Sequence, residues 1–364
     1  MHTACVVGTG LIGTSIALAL TGRGVTTYLI DRDPDSVRIA VALGAGVAGP
    51  PPAPADVAVI AVPPSEVART VADHQKAELA QVYTDVSSVK ALVHAECLAL
   101  GCDTTALVGG HPMAGGERSG PLTARADLFQ DRHWILTPTP ESRESALNRV
   151  LELVSLCGAV PVLLPPADHD RAVALVSHLP HLMASLTAAR LVDGEEYAVR
   201  LAGRGMRDVT RTAAGDPGLW TDILAANAAA LGPLLAELGR DLTAAARALA
   251  RLTEDVPEQH PAALAELTGV LRRGSAGRAR IAAPHGPAGA GRHRVLSIAV
   301  GGPQRQLERL LGDVAEARVD LEGMVLPDAP AVPDATDGAV ELWVAPDVAR
   351  PLTDALRDRG WAVR

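Results

Sequence analysis

The chain has 364 residues, enough for two or three domains of ordinary size. Hydrophobic residues make up 48% of it, which supports packed cores, and aromatics only 2%, which leaves the packing to Ala, Leu and Val. The net charge is −9 with no long basic run, which argues against nucleic acid as a partner, because such binding needs clustered Lys and Arg.

In chain order, residues 3–8 (TACVVG) form a short apolar strand, followed by a glycine-rich turn and a helical stretch to about Arg23. The apolar N-terminal run is broken by glycines and polar residues, so it reads as strand, turn and helix rather than signal peptide or membrane span. Further strands are expected at 25–31, 56–62, 82–86 and 106–109, with helical patterns between them. HWILTP (133–138) and AVPVLLPP (159–166) would finish the sheet at its far edge. Strands alternating with helices imply an α/β, doubly wound parallel sheet of Rossmann type over residues 1–166.

From 167 to 273 the sequence is almost entirely helix-forming, with apolar residues three and four apart, and an all-α second domain is expected. Residues 274–293 are rich in Gly, Ala, Pro and Arg and read as a linker. Residues 294–364 then run strand (294–300), helix (303–316), strand (318–325), strand (338–345), helix (347–359) and a short tail strand, the βαββαβ order of a ferredoxin-like α+β domain. Cys5, Cys97, Cys102 and Cys157 form no CxxC pair and read as reduced thiols of a cytoplasmic protein.

GTGLIG (8–13) fits G-x-G-x-x-G, follows a strand, opens a helix, and is followed by Asp31 at the next strand end. Each part has a task. Gly8 permits the turn, Gly10 admits a pyrophosphate, Gly13 lets helix and strand pack closely, and the helix start offers free N–H groups. Thr9, Leu11 and Ile12 between them, with Val62 and Pro63 at the end of the 56–62 strand, complete the expected cofactor contacts. Asp31 suits ribose hydroxyls and repels a 2′-phosphate, so NAD is favoured over NADP; Arg32 beside it softens that preference.

Three clusters remain that a dinucleotide fold does not require: TDVSSVK (84–90), GGHPMAGGERSG (109–120), and SHLPHLMASL (177–186) with AGRGMRDVTRTAAGDPGLWTDI (202–223). Together, and in this order after the glycine loop, they resemble the prephenate dehydrogenase family over roughly residues 3–240. Gly116 and Met206 depart from its usual residues. The resemblance implies NAD-linked oxidative decarboxylation of prephenate in tyrosine biosynthesis, with arogenate or an amino analogue as alternative substrates. It makes His111 the acceptor of the ring hydroxyl proton, with Ser88 bonding the same hydroxyl or orienting His111. Arg211 would bind a substrate carboxylate, helped by His181 and Arg207 on the far side. Trp220 would exclude water, Glu117 would sit in a gate or polar network, and Gly116 would bear on side-chain choice. Asp170 would orient a neighbouring His or Arg, and no metal is needed. Family members are commonly homodimers through the helical domain, and residues 292–364 resemble an ACT-type regulatory domain, for which tyrosine is the natural effector.

The residues also allow bland readings. Ser88 could serve only as a helix cap, Lys90 as a helix-start ion pair, Arg211 as a partner of Asp208 or Asp216, and Trp220 as core. A hydroxyacid dehydrogenase would need a catalytic Lys in the helical domain, and residues 167–273 hold none. A dinucleotide-sensing protein without activity would show eroded site positions, whereas His111, Ser88 and Arg211 are all present.

Overall fold

The computed structural model describes residues 1–116, 120–281, 294–300, 309–310, 313–314, 323–325, 338–344 and 346–363. The chain divides into two compact units, Met1–Arg272 and Arg273–Arg364.

In the first unit β1 (Thr3–Val7), β2 (Thr26–Ile30), β3 (Val47–Ala48), β4 (Val57–Ile60), β5 (Tyr83–Asp85), β6 (Leu107–Pro112), β7 (His133–Thr137) and β8 (Val160–Leu163) form one sheet. Among the described residues its order is β3-β2-β1-β4-β5-β6-β7-β8. Alternation along β1 explains why it lies in the centre. Ala4 and Val6 enter one apolar cluster with Ile16, Leu20 and Leu29, while Cys5 and Val7 enter the opposite one with Ile60, Val67 and Val71. A strand buried on both faces reads as a continuous apolar run, as ACVV does.

Helices α1 (Leu11–Thr21), α2 (Pro34–Ala42), α3 (Pro64–Lys76), α4 (Ala91–Ala99) and α5 (Glu144–Leu156) cover the two faces. α2 starts where a sequence would be expected to start it: Asp33 accepts a hydrogen bond from the Asp35 N–H, and Pro34 holds the first helical position. The expectation of an all-parallel sheet needs correction at one edge, because β7 pairs antiparallel with β6. Among the described residues only a short 3-10 turn, Pro121–Thr123, lies between these strands, with no α-helix to carry the chain back across the sheet, and a parallel return requires such a crossover. β8, reached through α5, is parallel to β7 again. The two-residue edge strand β3 was not expected either.

Helices then dominate: α6 (Pro166–Val173), α7 (Leu179–Ala189), α8 (Glu196–Arg200), α9 (Arg204–Thr210), α10 (Pro217–Ala226), α11 (Ala228–Arg251) and α12 (His260–Arg280). A π-turn, Ala174–His178, joins α6 to α7, so Pro166–Ala189 is one continuous helix. By length and composition alone that helix could cross a membrane, yet it carries the buried polar groups His169, Asp170, His178 and His181. α10 and α11 meet at 94° with Asn227 at the corner. α12 runs on to Arg280, into the stretch expected as a linker; its Ala and Arg residues favour helix strongly enough to carry Gly274 and Gly277.

In the second unit β9 (Arg294–Val300), β10 (Gly323–Val325) and β11 (Gly338–Val344) pair antiparallel in the order β10-β11-β9, and Val363 bridges Ile298 antiparallel on the free side of β9. α13 (Pro346–Asp358) contributes Ala349, Leu352 and Leu356 to a core with Leu296, Ile298, Leu342 and Trp361. Most of the helix expected at 303–316, and residues 318–322 of the expected second strand, lie outside the described residues.

Candidate functional site

The glycine loop lies between β1 and α1. Gly8 has φ +101°, and a Cβ there would sit inside the Ala61 carbonyl, so no other residue fits. Gly13 has no room for a side chain because the Gly8 carbonyl lies against it, whereas a Cβ at Gly10 would meet nothing within 4 Å. The space over Gly10 is thus left open by the described residues. α1 has no side-chain cap from Gly10 and no acidic residue in its first turn, so its first N–H groups present the positive end of the helix.

Asp31 closes the loop: its Oδ2 accepts from Thr9 N–H (2.5 Å) and Thr9 Oγ1 (3.0 Å). Arg32 is held by Glu66 at 2.8 Å. Val62 packs beside the second cluster, and Pro63 leads into α3. A cavity of about 860 Å³ opens beside Asp31, walled by Pro34, Val37, Arg38 and the 50–54 proline loop. A second, of about 770 Å³, is lined by Leu11 of α1's first turn. One cavity on the Asp31 side and one on the α1 side suit a ligand with two ends, so the residues present fit a dinucleotide.

The second cavity has its other walls in residues far along the chain. Gly115, Gly116, Thr123 and Arg125 come from the segment after β6, and His181, Arg211, Thr212, Gly215 and Trp220 from the helices. Trp220 stacks on His181 with ring centroids 3.4 Å apart and an 11° tilt. His181 has a buried Nδ1 without a hydrogen-bond partner among the described residues, and burial lowers its pKa. α10 begins beside this wall because Asp216 caps the Leu219 N–H and Pro217 follows it. Arg125 is exposed and paired with Asp127 through Nε (2.7 Å) and Nη2 (3.0 Å).

His111 stands near the end of β6 and belongs to a deeper network. Its Nδ1 lies 2.8 Å from His169 Nε2, and the rings meet edge to face. His169 Nδ1 lies 2.8 Å from Asp170 Oδ1, and Asp170 also accepts the N–H groups of Lys90 and Ala91, both at 2.9 Å, at the start of α4. Burial pushes the Asp170 carboxyl up, but the bonds from His169, Ala91 and Lys90 outweigh it and hold it below the usual carboxylate value. The Lys90 ammonium is buried, ion-paired with Asp85, and donates to the Gly110 carbonyl at 2.7 Å. Burial depresses its pKa against the pull of Asp85. Asn227 donates to the Asp170 carbonyl at 2.9 Å and lies 3.0 Å from His178 Nδ1. Desolvation, then the nearby His169, Lys90 and His178, hold His111 well below its ordinary 6.5. A neutral imidazole is the form that can accept a proton.

The expected residues therefore divide. His181, Arg211, Trp220 and Gly116 meet around one cavity, together with Leu11 from the cofactor loop. His111 is bonded to His169. Ser88 is half-buried next to Ser87, whose hydroxyl bonds Asp85 at 2.6 Å; Ser88 does not cap α4, whose first N–H groups are accepted by Asp170. Arg207 is exposed on α9 and does not line the cavity. Glu117 lies outside the described residues. Lys90 does pair near a helix start, with the acid five residues earlier. Sequence reasoning missed Arg125, and it expected Asp170 to orient a neighbouring His or Arg without pairing His169 with His111. Arg125 sits in no motif. His169 precedes Asp170 just before SHLPH, and that His-Asp pair was the available signal. Among the described residues no group of three or more His, Cys, Asp or Glu side chains is arranged to hold a metal.

Comparison with known proteins bears on the same regions. Residues 16–163 match the family model described as prephenate dehydrogenase, nucleotide-binding domain, and residues 165–265 that described as prephenate dehydrogenase, dimerization domain. A probable prephenate dehydrogenase of Streptomyces niveus, NovF, is 41% identical over 99% of this chain and 99% of its own length. Among solved structures, a prephenate dehydrogenase from A. aeolicus in complex with hydroxyphenyl propionate and NAD+ superimposes with TM-score 0.66 at 26% identity, covering 77% of this chain and 98% of the other. An arogenate dehydrogenase from Synechocystis gives TM-score 0.58 at 28% identity, covering 75% and 99%.

Proposed function

This chain belongs to the prephenate dehydrogenase family and is an NAD-dependent oxidoreductase, and on that footing we propose that it converts prephenate to 4-hydroxyphenylpyruvate and carbon dioxide in tyrosine biosynthesis. The observation that carries this is the cavity of about 770 Å³ lined at once by Leu11 of the dinucleotide loop and by Arg211, His181 and Trp220. Prephenate over arogenate is supported by charge. Two guanidinium groups, Arg211 and Arg125, line the cavity, and no carboxylate does so among the described residues. Prephenate brings two carboxylates and no ammonium, which suits two guanidinium groups, whereas the ammonium of arogenate finds no carboxylate among the described lining residues.

The residue roles follow from this reading. Gly8, Gly10, Gly13 and α1's first N–H groups hold the pyrophosphate, and Asp31 the ribose. The nicotinamide, when bound, supplies the hydride acceptor for the carbinol carbon. His111 takes the hydroxyl proton at Nε2, with Ser88 beside the same hydroxyl. Arg211 grips a carboxylate through its planar fork. The His181–Trp220 stack and Arg125 close the remaining walls, and Glu117 and Arg207 act in the gate and at the far side. Loss of carbon dioxide aromatises the ring and drives the reaction forward.

Steady-state comparison tests the substrate: prephenate is expected to give a higher kcat/KM than arogenate or the amino analogue, each with NAD. A preference for arogenate overturns that part of the reading.

The same footing supports a homodimer through the helical domain, since its matching family model is described as a dimerization domain and Leu242, Leu249, Leu264 and Leu271 stand exposed on α11 and α12. Four free cysteines suit the reducing cytoplasm. We propose an ACT-like, ferredoxin-type reading of the second unit, supported by the antiparallel order β10-β11-β9 with the Val363 bridge beside β9. Tyrosine is its proposed effector; activity that does not change on titrating tyrosine into the intact chain would refute that role.

A further inference from the structure

We propose that His169, anchored by Asp170, is the positioning residue that fixes the tautomer of His111 and stabilises the imidazolium it becomes; this rests on the proton-acceptor role given to His111 above. The tautomer follows by elimination along the chain of contacts. Asp170 Oδ1 accepts the Lys90 N–H and Oδ2 the Ala91 N–H, both at 2.9 Å, at the positive end of α4, so the carboxyl is ionised and can only accept. His169 Nδ1, 2.8 Å from Oδ1, must therefore carry its proton. A neutral His169 then has its lone pair on Nε2, and the 2.8 Å contact to His111 Nδ1 requires His111 to donate. The lone pair of His111 is thereby assigned to Nε2, the nitrogen that the network does not use.

The protein surroundings make this arrangement rigid. His169 is fully buried, and Asp170 is further tied through its carbonyl to the Asn227 amide. The charged and titratable groups around the pair are Asp85 and Lys90 from β5 and the start of α4, and Asp170 and His178 from the long helix. In the reaction the substrate O–H bond breaks and a His111 Nε2–H bond forms. The resulting imidazolium is hydrogen-bonded through Nδ1–H to His169, whose own Nδ1–H points its dipole from the Asp170 anion. No electron changes hands in this step beyond the hydride already assigned.

Two measurements test the proposal in the full-length protein. The ring ¹⁵N shifts of His111, read without substrate, are expected to show Nδ1–H in the wild type. In His169→Leu they are expected to show Nε2–H, the form usual in water. With prephenate and NAD, His169→Leu is expected to lower kcat about 10²-fold with KM changed less than threefold. His169→Gln keeps an acceptor for Nδ1–H and is expected to recover kcat to within about tenfold of wild type; it also decides the matter if the leucine variant does not fold. Nε2–H in the wild type, or both variants within threefold of wild-type kcat, overturns the proposal. If the wild type turns over no substrate, the functional reading fails, while the tautomer result still stands or falls by itself.

Discussion

Around His111 polar groups meet one another at 2.6–2.9 Å inside the protein, tying β5, β6, α4 and the long helix together. Around Arg211 the charged groups line the wall of an open cavity, on short helices and on the segment after β6. The first region has its geometry set before any ligand arrives. The second offers charge and aromatic surface at the junction of two domains, where a substrate supplies part of the order. Proton transfer needs fixed distances, and recognition of two carboxylates tolerates adjustment, so the division fits the roles proposed for the two regions.

Substitutions should break the two regions differently. Lys90→Ala is expected to cost about 3–5 kcal/mol of stability, because it leaves Asp85 buried without its cation; denaturant unfolding measures it. His111→Asn should leave the fold intact and lower kcat about 10³-fold. The pH profile of the wild type sharpens this. Desolvation and neighbouring groups hold His111 well below 6.5, so the neutral acceptor persists as pH falls past 6.5, and kcat should decline only at lower pH. A decline centred at 6.5 would mean that His111 is exposed to water in the working enzyme. Arg211→Ala should act mainly on KM, raising it about 10- to 100-fold, the worth of a charge-assisted hydrogen bond. Arg32→Ala should be the mildest: its exposed pair with Glu66 is worth under about 1 kcal/mol, and KM for NAD should move less than fivefold.

The turn made by the glycine loop was legible in the sequence because Gly8 and Gly13 answer local demands of backbone and packing. The helical region was legible because its apolar spacing runs for about a hundred residues. The antiparallel β7 was not, since the sequence of a short strand does not record its direction; only the missing crossover helix hinted at it. The Lys90–Asp85 pair was half legible: a lysine in a polar segment reads as surface, and its burial depends on β6 and the long helix packing over it. His169 was hidden for the same reason. It meets His111 across 58 positions of sequence, and a His-Asp pair on a helix has many uses until its partner is known. Arg125 depends on a loop path that no periodicity encodes.

The most direct test of the central claim is to mix purified full-length protein with prephenate and NAD and follow the reduced nicotinamide, with arogenate, the amino analogue and NADP run alongside. The account predicts reduced cofactor and carbon dioxide in equal amounts with prephenate and NAD; no reduced cofactor with any pairing would contradict it.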